Sequence, residues 1–265
     1  MKKAMNFIFV VLLTYAGLCA LLFFMQDRLL FVPRTSDAHA VTQLQQWHLS
    51  LETQEATLEG WLIPAREPRI APLVFYFGGN AEDISMTAPD MSSRIDANFV
   101  FMNYRGYGGS EGKPSQDAFF TDAVFIYDHM IDSAPYDGKT VVFGRSLGSS
   151  VGIYLASRRK IDAAVLVTPL DSVRNVARRR FPWLPVDLLL RHPFDAISLA
   201  PGLDIPAVFL LAARDEIVPP AHSLALAERW AGSTRVVTIK GASHNTIGWE
   251  EEFWDPVQQL LKSLQ

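Results

Sequence analysis

Six short, nearly continuous apolar runs constrain this chain more than any other feature: "LVFYF" (73–77), "NFVFMNY" (98–104), "TVVFG" (140–144), "AAVLVTP" (163–169), "AVFLLAA" (207–213) and "RVVTI" (235–239). Successive side chains of a strand point to opposite faces, so a strand apolar at every position must be covered on both sides. Between the runs lie segments with helical spacing at 81–94, 115–133, 147–159 and 220–231, and a last one follows at 251–263. Strand–helix alternation of this kind predicts an α/β fold, with a mostly parallel central sheet, helices on both faces and right-handed crossovers. Two further strands are expected upstream, "WHLSL" and "ATLEGWLIP", the second alternating polar and apolar before Pro64. A chain of 265 residues, 49% apolar, supplies the core of one such domain.

One interval breaks the rhythm. About 37 residues separate Pro169 from Ala207, more than a usual connection. They carry Arg178, Arg179 and Arg180 beside Phe181, Trp183 and several leucines. Two readings stand: an ordinary crossover with a solvated charged face, or a small helical lid over 170–203 that shapes a pocket and touches a membrane surface.

The N-terminus has its own character. Lys2 and Lys3 precede an uncharged, mostly apolar run from Ala4 to Met25. Some 20 helical residues cross the roughly 30 Å hydrocarbon core of a bilayer. A cleaved signal peptide usually has an apolar region of about 7–15 residues and then a small-x-small site. Here the run is longer and continues as Leu-Leu-Phe-Phe-Met. Leu18 before Cys19 argues against a lipoprotein signal. We therefore expect residues 1–26 to be an uncleaved N-terminal transmembrane helix and residues 27–265 to form the α/β domain. The two lysines place the N-terminus in the cytoplasm and the domain on the opposite side, facing the periplasm if the cell is bacterial, although Arg28 and Arg34 weaken the asymmetry.

Composition removes several classes of partner and cofactor. The formal net charge is −4, without the basic excess of a nucleic-acid-binding domain. The single cysteine, Cys19, makes no intrachain disulfide or cysteine-built metal site. No cofactor and no metal are expected.

The chemistry-bearing segment is "VVFGRSLGSSVG" (141–152), in which Gly144-Arg145-Ser146-Leu147-Gly148 fits G-x-S-x-G. The motif is weak by itself, but this one sits between an apolar run and a helical one, the setting of a nucleophile elbow. Small residues flanking the serine spare a sharp turn from clashes, and the following helix N-terminus favours developing negative charge. A serine hydroxyl needs a base, and an acid and a histidine should follow in that order. Asp215 lies just past one strand and His244 in a small-residue loop past the next. Asp215, which follows the penultimate strand, is the expected acid; Asp171, which follows the strand after the nucleophile helix, competes for its place, and Glu216, adjacent to Asp215, would point elsewhere. His39, His48, His192 and His222 lack the post-strand loop setting, and His129 lies within a helical stretch. The expected oxyanion donors are the main-chain N–H of Leu147 and one from the loop Gly78-Gly79-Asn80-Ala81, at Gly79 or Asn80. Arg145 is read as a wall of the elbow.

"FYFGGNAEDIS", "NYRGYGGSEGKPSQ", "FGRSLGSSVG", "ARDEIVP" and "GASHN" together resemble the α/β-hydrolase fold superfamily, over about residues 27–263. The chain looks most like the membrane-anchored branch of α/β-hydrolase-domain serine hydrolases, a group often placed with serine aminopeptidases. Two departures stand out. Many relatives have His-Gly-Asn-Ala where this chain has Gly78-Gly79-Asn80-Ala81, and Asp-Tyr-Arg-Gly where it has Asn103-Tyr104-Arg105-Gly106. The resemblance implies a serine hydrolase acting on an acyl ester or thioester, and the anchor together with the Arg/Phe/Trp-bearing interval points to a lipid-like substrate. A serine peptidase and a non-catalytic membrane-tethered scaffold are the alternatives. Dehalogenase and epoxide-hydrolase chemistry want an acid at the elbow, where this chain has Ser146.

Overall fold

In the computed structural model, which describes residues 1–133, 136 and 138–264, eight strands form one sheet. They are β1 (His48–Glu52), β2 (Thr57–Ile63), β3 (Leu73–Phe77), β4 (Asn98–Met102), β5 (Thr140–Arg145), β6 (Ala163–Val167), β7 (Ala207–Ala212) and β8 (Thr234–Ile239). Their order is β1-β2-β4-β3-β5-β6-β7-β8. β2 pairs antiparallel with both β1 and β4, and every other pairing is parallel. All eight expected strands are present.

The uninterrupted apolar character of the central strands has the anticipated cause. In β3, Leu73, Phe75 and Phe77 join one core cluster while Val74 and Tyr76 join the other. β7 divides the same way, Phe209 and Leu211 against Val208 and Leu210. Helices α4 (Gln116–Ser133), α5 (Leu147–Arg158) and α8 (Pro220–Arg229) cover the first face with Phe119, Val151 and Leu226. Helices α3 (Ile84–Arg94) and α9 (Trp254–Lys262) cover the second with Ala88, Met91, Val257 and Leu261. β8, at the sheet edge, is largely exposed, as a strand covered on one side should be.

The N-terminal helix α1 runs from Lys2 to Leu30, with a most apolar window of mean hydropathy 2.6 and none of its residues buried. It is long and apolar enough to cross a membrane, and it extends four residues past the expected anchor. Phe31 turns extended, and Pro33 follows. A short helix, α2 (Ala38–Gln43), capped by Asp37, follows before β1.

The long interval after β6 holds α6 (Val173–Arg180) and α7 (Val186–Leu189), then two single turns of 3-10 helix. Ser172 caps α6 by accepting from Asn175 N–H at 2.9 Å. This segment packs against α1. Gln26 Nε2 donates to the Leu189 carbonyl (3.0 Å), Arg191 N–H donates to Gln26 Oε1 (2.7 Å), and Arg191 pairs with Asp27 at 2.8 Å.

Sheet order reverses around β3, which has β4 on one side and β5 on the other. Ligand crevices in open α/β sheets form at the carboxyl ends of strands beside such a reversal.

Candidate active site

β5 ends at Arg145 and α5 begins at Leu147, leaving Ser146 as the pivot with φ 52 and ψ −118. This left-handed φ is strained for a residue with a side chain. The surroundings hold it there: Ser146 N–H donates to the Val167 carbonyl at the end of β6, at 2.8 Å. The flanking glycines are sterically required. A Cβ on Gly144 would stand 2.4 Å from Ser149 Cα, and one on Gly148 would stand 2.0 Å from the Phe77 carbonyl oxygen.

Three side chains meet above this turn. His244 Nε2 lies 2.9 Å from Ser146 Oγ, and His244 Nδ1 lies 2.7 Å from Asp215 Oδ2. Asp215 Oδ1 accepts from the N–H groups of Ile217 (3.0 Å) and Val218 (2.7 Å), so both carboxylate oxygens are used and the acid is fixed in place. All three side chains are buried. The carboxylate selects the imidazole tautomer with its proton on Nδ1, leaving Nε2 to accept from the serine hydroxyl.

The competing acid is occupied elsewhere. Asp171 Oδ1 lies 2.8 Å from His222 Nδ1, and its other oxygen accepts from Asn175 Nδ2 at 2.8 Å. Sequence order alone did not reveal this second buried Asp–His pair. Burial works to raise the Asp171 pKa, but bonds from His222, Asn175 and the Ser172 N–H outweigh it and hold the carboxyl below its ordinary value. The other histidines are engaged elsewhere: His39 bonds Gln43, His48 pairs with Glu59, His192 pairs with Asp27, and His129 lies within α4.

One expected donor is corrected. The Gly79 N–H donates to Glu82 Oε2 at 2.7 Å, so it is committed to a carboxylate and does not face a substrate oxygen. Asn80 is the remaining member of the expected pair. Leu147, the first residue of α5, has one of the helix N–H groups that lack an intrahelical acceptor. The loop passes directly over the serine, since a Cβ on Gly79 would lie 3.9 Å from Ser146 Cβ.

Sequence reasoning also missed what holds that loop. Tyr104 Oη donates to the Gly78 carbonyl (2.9 Å) and Tyr107 Oη donates to Asn80 Oδ1 (2.8 Å). Asn80 Nδ2 in turn donates to the Leu30 carbonyl at 2.5 Å, which ties the loop to the end of α1. The only signal available was the tyrosine pair in "NYRGYG".

Arg145 has a larger part than the wall assigned to it. Its guanidinium pairs with Glu82 at 2.9 Å and donates to Asn245 Oδ1 (3.2 Å) and the His244 carbonyl (3.4 Å). Glu82 also accepts from Tyr76 Oη (2.6 Å) and Thr87 Oγ1 (2.7 Å). One buried carboxylate and one guanidinium thus join the oxyanion-side loop to the histidine loop. Burial pushes the Glu82 pKa up, yet the Arg145 charge and the bonds from Thr87, Tyr76 and Gly79 bring it below its ordinary value.

The geometry can be set beside known proteins. No family model matches the chain. An uncharacterized protein of Mycobacterium tuberculosis is 28% identical over 249 residues, 92% of this chain and 89% of that one. The α/β-hydrolase domain-containing protein WAV2 of Arabidopsis thaliana is 29% identical over 230 residues, 77% of this chain and 75% of the relative. Among solved structures, the Pyrococcus furiosus esterase Pf2001 superposes with a TM-score of 0.70 at 20% identity, covering 89% of this chain and 98% of that one.

Proposed function

The chain belongs to the α/β-hydrolase superfamily, and from that premise we propose that it is a membrane-anchored serine hydrolase that cleaves an acyl ester or thioester through Ser146, His244 and Asp215. The observation that carries this reading is the continuous relay from Asp215 through His244 to Ser146, at 2.7 and 2.9 Å, on a strained elbow.

Ser146 Oγ attacks the substrate carbonyl carbon while His244 Nε2 takes its proton. Asp215 keeps the imidazole oriented and stabilises the imidazolium without itself becoming protonated. The developing oxyanion is met by the main-chain N–H groups of Leu147 and Asn80, a contribution of about 10²–10³ in rate for each donor. Collapse of the tetrahedral intermediate expels the alcohol or thiol, which leaves with the proton from His244. Water, deprotonated by the same histidine, then attacks the acyl-enzyme, releases the carboxylic acid and restores Ser146.

Two features support an uncleaved anchor. α1 continues unbroken to Leu30, and its last turns are bonded into the domain through Gln26, Asp27 and Leu30. Lys2 and Lys3 favour a cytoplasmic N-terminus with the domain across the membrane.

A fluorophosphonate probe applied to the detergent-solubilised full chain tests the nucleophile. The wild type should label and Ser146→Ala should not; equal labelling of both would overturn the proposal.

A further inference from the structure

A groove of about 220 Å³ runs between α1 and the α6–α7 segment. Leu22, Leu29 and Leu30 of α1 face Val173, Ala177 and Leu189 across it. Gln26 is its one polar side chain, and that amide is already bonded to the Leu189 carbonyl and the Arg191 N–H. The groove therefore presents hydrocarbon to whatever enters it. From Leu22 to Leu30 it follows about 12 Å of helix.

Its two ends point to the occupant. At the inner end, the Leu30 carbonyl is held by Asn80, whose neighbour Gly79 crosses over Ser146. Val173, on the opposite wall, lies two residues beyond Asp171 on the segment leaving β6, the strand whose Val167 carbonyl pins the Ser146 N–H. At the outer end, Tyr15 Oη donates to the Trp183 carbonyl at 2.7 Å. Tyr15 lies midway along the apolar run, about 15 Å of helix before its end at Met25. With α1 across a bilayer, the tip of the α6–α7 segment thus reaches below the membrane surface. Phe181, Trp183 and Leu188 expose 43%, 54% and 81% of their surface in this region. Of the charges beside them, Arg178 is paired to Asp187, while Arg179 and Arg180 are exposed next to Phe181.

We infer that this groove is the acyl-chain site of the enzyme: a long-chain acyl ester or thioester enters it sideways from the bilayer, and its carbonyl is delivered to Ser146. The inference rests on the hydrolase and membrane readings above and adds the substrate class. An apolar groove that has the membrane helix as a wall is continuous with bilayer hydrocarbon, so an acyl chain passes along it without crossing water.

The experiment uses the full chain in lipid nanodiscs and two filling variants, Ala177→Trp and Leu29→Trp, on opposite walls. The readout is the ratio of kcat/KM for p-nitrophenyl palmitate to that for p-nitrophenyl butyrate. A ratio also corrects for any loss of folded protein. We expect it to fall tenfold or more in both variants; a ratio within twofold of wild type overturns the inference. A catalysis-free arm exposes Ser146→Ala protein to palmitate carrying a mid-chain diazirine. Crosslinks should map to residues 22–30 and 173–190, and crosslinks confined elsewhere overturn the site. Groove crosslinks with an unchanged ratio would mark a structural lipid and overturn the substrate role. Groove crosslinks from a wild type that cleaves no ester would uphold the acyl site and overturn the hydrolase reading.

Discussion

Gly148→Ala tests how tightly the elbow is built. The added Cβ would sit 2.0 Å from the Phe77 carbonyl oxygen and 2.5 Å from that of Gly78. Both obstacles are backbone, so no side-chain rotation relieves them. Reaching even a tight contact of about 3 Å requires α5 and the end of β3 to separate by about 1 Å. That movement acts directly on the chemistry. Leu147 is the neighbour of Gly148, and Asn80 lies just beyond Gly78, so the two proposed oxyanion donors move apart. A misplacement of about 1 Å typically costs about 10²-fold, or about 2.7 kcal/mol of transition-state stabilisation. Overpacking should remove about 1–3 kcal/mol of stability as well, a fall in Tm of roughly 3–10 °C for a domain of this size. The control is Gly152→Ala in the same helix. There the nearest obstacle is Val142 Cβ at 3.3 Å, and alanine gains about 1 kcal/mol of helix propensity, so activity and Tm should stay near wild type. The assay is kcat/KM on p-nitrophenyl butyrate with thermal melts of all three proteins. A Gly148→Ala enzyme within threefold of wild type, or a Gly152→Ala enzyme equally damaged, would refute the reasoning.

The two carboxylates can be separated by paired substitutions. Asp215→Asn should lower kcat by about 10⁴ through loss of the correct imidazole tautomer, whereas Asp171→Asn should cost about 1–3 kcal/mol of stability and keep most of the probe labelling; the opposite pattern in ester turnover and melting would exchange their roles. Glu82→Gln should destabilise the fold by about 1–3 kcal/mol at pH 7, because it leaves the partly buried Arg145 guanidinium without its countercharge. The folded Glu82 pKa is depressed, so this contribution is present above the unfolded value of about 4.3 and is lost as pH falls through the folded one. Melts of wild type and variant from pH 8 to pH 3 should converge at the acid end, and a gap independent of pH would count against the Glu82 brace.

The strands, the elbow and the order of Ser146, Asp215 and His244 were legible in the sequence because each is a local property. Apolar continuity marks a strand covered on both faces, and a glycine-flanked serine between a strand and a helix marks a turn. The parallel sheet then brings residues just past different strands to one edge. Sequence order favoured Asp215 as the acid for His244 and did not reveal the partner of Asp171. Asp171 and Asp215 both follow strands, and only the three-dimensional path sends one to His222 and the other to His244. The same holds for Gly79, whose N–H was a plausible oxyanion donor until its direction showed it committed to Glu82. Arg145 meets Glu82 across 63 positions of chain, and Tyr104 and Tyr107 reach back to a loop more than 25 positions earlier. The packing of the α6–α7 segment on α1 likewise joins parts about 160 residues apart. Hydrogen bonds and ion pairs depend on direction through space as well as on residue type. The sequence therefore determined which groups are present and on which edge of the sheet they stand. Tertiary structure alone decided which of them touch, and packed the apolar N-terminal helix against the α6–α7 segment.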